Sequence, residues 1–142
     1  MALTDQQIEA FRTIAGRIIP AEDGALGADD ATIFADLSSS LNDIAPAIAS
    51  IIDAVNLEAF GRFAELPSVE QDIILRKVQG ALGMTFWAAV QRVTLCYYRD
   101  DRVLSALGLR PGPPFPRGQV LEQGDWSLLD PVKARQPFWR ET

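Results

Sequence analysis

The chain has 142 residues, 48% of them apolar and 23% charged, and a formal net charge of −6. That length suits one domain and that apolar share supports a core, which argues against wholesale disorder. The acidic balance argues against a nucleic-acid partner, because phosphate neutralisation needs clustered Lys and Arg.

There is no histidine, and Cys96 is the only cysteine. An intrachain disulfide, a Cys/His zinc site, a self-contained iron–sulfur cluster and any histidine-based triad are therefore excluded. No cofactor or metal site is expected in this chain. Cys96 lies between Leu95 and Tyr97 in an apolar helical context and reads as buried and inert. Charge is uneven, −10 over residues 1–72 and +4 over residues 73–142. Two solvated faces explain that split, and so does a surface polarised to orient a partner.

Thr4 with Gln7 forms a capping-box pattern, and Ile8, Phe11, Ala15 and Ile18 follow at helical spacing until Pro20. Residues 20–30 form an acidic loop. Its four carboxylates do not follow the EF-hand spacing, so calcium is not assigned. A second helix is predicted over 30–41, with Ile33, Phe34, Leu37 and Leu41 as its apolar face. A third runs from Pro46 to Phe63 with Ile48, Ile51, Ile52, Val55 and Phe60 as its stripe. Ser68 and Gln71 make a second capping-box pattern, and the chain reads as helix to Tyr98, interrupted near Gly80 and Gly83. Asp100 or Asp101 caps a short last helix carrying Val103, Leu104 and Leu107, ended by Gly108. No strand pattern and no internal repeat are found. The expectation is an all-α compact bundle of five to six helices over residues 1–108.

Residues 109–142 differ in kind, with six of the nine prolines among Phe115, Val120, Leu121, Trp126, Leu128, Leu129, Phe138 and Trp139. Proline at that density favours extended chain, yet disordered tails are usually poor in aromatics. The expectation is an extended proline-rich C-terminal tail that wraps its own domain, reaches along a partner, or does both. Aromatics interleaved with arginines are common interface anchors. Phe115, Arg117, Trp126, Arg135, Phe138 and Trp139 are the candidate partner-binding residues.

The N-terminus lacks the basic start and apolar stretch of a secretory signal. The longest uncharged run, residues 78–91, is shorter than the roughly 20 residues of a membrane span. The expected protein is soluble, without a membrane span, and cytoplasmic. A periplasmic protein whose signal had been removed would look the same.

Several features resemble the gluconate 2-dehydrogenase subunit 3 family. They are Ile18-Ile19-Pro20 before the acidic loop, Phe60 and Phe63 before Leu66-Pro67, Tyr97-Tyr98 leading to Asp101, Val103, Leu104 and Leu107-Gly108, and the exit Gly112-Pro113-Pro114-Phe115-Pro116-Arg117-Gly118. The resemblance covers nearly the whole chain, through order and spacing rather than one specific motif. It implies a non-catalytic small accessory subunit beside a large flavoprotein of the glucose–methanol–choline type. That partner holds FAD and the sugar or alcohol substrate, and passes electrons to a cytochrome in many complexes. Many such subunits carry a twin-arginine signal, and this sequence shows none.

Two other readings stand beside that one. In the first, the chain is a free-standing helical binding module whose apolar pocket is lined by Phe86, Trp87 and Tyr97. In the second, it is a small enzyme using Glu58, Glu65 and Asp72 as acid and base, although carboxylates spread over helices usually form a solvated face.

Overall fold

The computed structural model describes residues 2–112 and 124–135. The chain divides into two units, Met1–Gly112 and Pro113–Thr142. The first is an all-α bundle of α1 (Asp5–Ile18), α2 (Ala31–Ser40), α3 (Ala45–Ala59), α4 (Ser68–Leu82), α5 (Met84–Tyr97) and α6 (Asp101–Ala106). Among the described residues there is no strand, only an isolated bridge between Glu22 and Ala25.

Helix starts follow local chemistry. Gln7 N donates to Thr4 Oγ1 at 3.2 Å and Thr4 N donates to Gln7 Oε1 at 3.0 Å, so the expected capping box opens α1. Asp30 caps α2 by accepting from the backbone N–H of Thr32 and Ile33. Asp100 caps α6 by accepting from Arg102 N at 2.9 Å.

Three boundaries differ from expectation. The third helix stops at Ala59 rather than Phe63, because Phe60 and Gly61 take left-handed φ of 51° and 74°. Both of their N–H groups donate to Asn56 O, which closes the helix. Phe60 therefore leaves the predicted apolar stripe and is 86% exposed, whereas Phe63 is buried in a 3-10 turn, Phe63–Glu65. Ser68 is not a cap. Pro67 occupies the N-cap in extended backbone and Ser68 is the first helical residue, so Gln71 is free to turn inward. Gln71 is buried, and its Nε2 donates to Phe63 O at 2.8 Å. Finally, the predicted interruption between α4 and α5 lies at Gly83 alone, whose φ of 51° and ψ of −115° suit glycine. Gly80 lies within α4.

The core is one cluster centred on α3, which packs against α1, α4 and α5. Ile48, Ile51, Ile52 and Val55 are all buried, together with Phe11, Ile33, Phe34, Leu37 and Leu41 from the predicted faces. The acidic loop is pinned rather than loose. Arg12 Nε and Nη2 donate to Asp29 O at 3.0 and 2.9 Å, and Tyr97 Oη donates to Leu26 O at 2.8 Å. At Gly27 a Cβ would lie 2.8 Å from Ala21 N and in collision with Asp29 Oδ1, so the loop closes only around glycine.

In the second unit, residues 126–133 are not extended chain. Trp126–Leu129 is a 3-10 turn capped by Asp125, which accepts from Ser127 N at 3.0 Å. It runs into α7 (Asp130–Lys133), where Pro131 sits in the first turn and no intrahelical N–H is needed. The described residues of this unit, 124–135, are all exposed.

Candidate docking surface

α5 carries two apolar faces. Phe86, Ala89, Val93, Cys96 and Tyr97 point into the core and are buried. Burial raises the Tyr97 phenol above its ordinary range, with Tyr98 and Asp100 adding to the effect. Cys96 is buried as expected, with Ser40 Oγ 3.8 Å from its Sγ.

The outer face holds Trp87, Leu95 and Tyr98, which are 47%, 59% and 48% exposed. With Val90, and with Ile44 from the 3-10 turn Leu41–Ile44, they wall a groove of about 720 Å³. Tyr98 is held edge-on against Tyr97, with ring centroids 5.2 Å apart and planes at 84°. Buried Tyr97 thereby orients its exposed neighbour.

Arg92, on α5, reaches across to the facing wall. Its Nη1 donates to Ser40 O at 2.7 Å and to Asp43 Oδ2 at 3.3 Å, placing a cation on the C-terminal end of α2. Arg99, also on the groove, is exposed. None of the groove's ten lining residues is acidic. A second hollow, about 490 Å³ between α1 and α3, has a polar rim of Gln6, Asp53 and Asn56.

The predicted pocket of Phe86, Trp87 and Tyr97 does not form. Successive helical residues point about 100° apart, so Phe86 and Tyr97 enter the core while Trp87 faces out. Of the candidate tail residues, Trp126 opens the 3-10 turn and is 66% exposed, and Arg135 is exposed. Phe115, Arg117, Phe138 and Trp139 lie outside the described residues. Leu95, Tyr98 and Arg99 are not among the site residues expected from sequence. Trp87, Leu95 and Tyr98, which share a helix side interrupted only by Gln91, are the signal that marks the apolar part of this surface.

The three carboxylates of the enzyme reading are separately engaged or exposed. Asp72 receives a bidentate bond from Arg17, with both distances 2.9 Å. Glu58 pairs with Lys77, and Glu65 is exposed in the turn before α4. Among the described residues no group of three or more acidic or cysteine side chains is placed to hold a metal. No helix among them is long and apolar enough to cross a membrane.

No protein family, curated protein or solved structure matches this chain. The functional reading therefore rests on the surface just described and on the sequence resemblance.

Proposed function

We propose that this chain is a non-catalytic accessory subunit that binds and stabilises a larger enzyme through the outer face of α5. The observation carrying this reading is the exposed apolar stripe of Trp87, Leu95 and Tyr98 on a helix whose opposite face is already core. Contiguous apolar surface rimmed by polar groups marks protein docking sites, and Trp, Tyr and Arg dominate their energetics. The partner proposed is a large FAD-dependent dehydrogenase of the glucose–methanol–choline type acting on a sugar or alcohol, with a cytochrome as the onward electron acceptor. Its class rests on the sequence resemblance. FAD belongs to that partner, and this chain is assigned no cofactor.

Stabilisation follows from mass action. A subunit that binds only the folded partner contributes roughly 2.7 kcal/mol when its free concentration is a hundred times Kd.

The free-standing pocket reading is weaker. A pocket for a small molecule buries most of its ligand between several elements. This groove is walled only by α5, its C-terminal flank and Ile44, which suits a protein segment laid along it.

The test is purification of the tagged chain from its host, with the absorption spectrum of the eluate recorded. Flavin bands and a flavoenzyme-sized band, lost in the Trp87→Ser, Leu95→Ser double variant, are expected. A colourless monomer from the unaltered chain would overturn the proposal.

A further inference from the structure

The groove on α5 also specifies the chemistry of what it receives. Trp87, Gln91, Leu95 and Tyr98 follow at spacings of four, four and three residues, a stripe about 16 Å long. Ile44 stands across from it. That length accommodates about three turns of a helix laid in the groove, whose apolar ridge would replace water along the stripe.

The rim gives the ridge a sign. Arg92 lies on α5 and Arg99 in the turn just past its end, and both line the groove. Arg92 is half-buried, and its salt bridge to Asp43 is long, at 3.3 Å, with the Asp43 carboxylate 76% exposed. Among the described residues the Arg99 side chain has no hydrogen-bond or ion-pair partner. Asp36 and Asp100 stand beside it in a neighbouring hollow, and Asp100 is already bonded to Arg102. No residue lining the groove is acidic, and of its two cations Arg92 is paired with Asp43 while Arg99 is left to a partner.

Resting on the accessory-subunit reading above, we infer that this groove takes an amphipathic segment of the partner subunit that carries carboxylates beside its apolar ridge. The apolar stripe supplies the burial, and the two guanidinium groups choose the partner and its direction by pairing with carboxylates and repelling basic segments. Arg99, with nothing to release on binding, is the stronger discriminator.

The test places the photo-crosslinking residue p-benzoylphenylalanine at Leu95 of the full chain, expressed with its partner, and sequences the adduct. The adduct is expected on a partner segment with at least two Asp or Glu within about three helical turns. Arg99→Glu is expected to weaken the complex tenfold or more. Arg76→Glu, the same charge change at an exposed arginine outside the groove, is expected to leave affinity within twofold. Circular dichroism melts confirm that each variant folds.

A complex that survives Arg99→Glu, or an adduct on a basic or uncharged segment, would overturn the inference while leaving the accessory reading intact. An adduct with a second copy of this chain would overturn it too. So would binding of the chain alone to phosphatidylglycerol vesicles that is lost in Arg99→Glu. The absence of any complex would overturn both readings.

Discussion

Arg102 Nη2 lies 2.7 Å from Asp30 Oδ1, joining residues 72 positions apart in sequence. The same guanidinium donates to both oxygens of Asp100, at 3.0 and 2.8 Å. Asp30 caps α2 and Asp100 caps α6, so one arginine ties together the starts of two helices. The hydrogen bond from Arg102 is the largest cause holding both carboxyls below their ordinary range, aided by the backbone N–H groups they cap.

This bridge makes stability depend on acid. A lowered folded pKa gives stability that is present above the unfolded value, near 4, and is lost as pH falls through the folded value. In thermal melts the gap in Tm between the wild type and Arg102→Met is expected to be widest at pH 6–7. It is expected to narrow as pH falls below about 4. A gap that stays constant across that range would assign the effect to packing of the arginine stem instead. Asp30→Ala additionally removes a cap and is expected to cost about 1 kcal/mol, or about 4 °C in Tm.

The two glycines near the α4–α5 junction are expected to respond in opposite directions. Gly83 holds a backbone conformation that L-residues rarely adopt, so Gly83→Ala is expected to cost about 1–3 kcal/mol. Gly80 is inside α4 with open space where a Cβ would sit, so Gly80→Ala is expected to stabilise by about 0.5–1 kcal/mol. Urea titration of both variants checks the pair, and equal signs would contradict the assigned break.

Phe60 is a bulky residue in left-handed backbone with its ring in solvent, so replacing it with glycine relieves strain and forfeits little burial. Phe60→Gly is expected to raise stability by about 1 kcal/mol. A fall in Tm would show that the ring packs on the bundle.

Tyr97 links the core to the acidic loop through its bond to Leu26 O. Tyr97→Phe is expected to cost about 1 kcal/mol and to speed hydrogen exchange across residues 20–30. Because the folded phenol titrates above its unfolded value near 10, its contribution is present below that value and lost as pH rises through the folded one. The wild type is therefore expected to lose stability in alkali faster than Tyr97→Phe.

The starts of α1, α2 and α6 are legible from single residues, since Thr4, Asp30 and Asp100 act on N–H groups two or three positions away. Pro20 and Gly83 are legible for the same reason: one residue's own φ range interrupts a helix. The inward faces of α1, α2 and α3 follow from spacing, because each carries one dominant apolar stripe. Ser68 and Gln71 match a capping box by type, but Phe63 O, brought close by the preceding turn, takes the glutamine amide.

On α5 local rules do not decide, because apolar residues occupy both sides. Phe86 and Trp87 are adjacent aromatics of similar hydrophobicity, and composition does not say which one is covered. The approach of α2, α3 and α4 to one side of α5 decides it, burying Phe86 and leaving Trp87 outside. The sequence by itself determined an all-α chain, its caps, its chain breaks and its lack of histidine chemistry, all properties carried by single residues or short spacings. Only the tertiary structure decided which apolar stripe becomes core and which becomes a surface, because burial belongs to pairs of elements that meet in space.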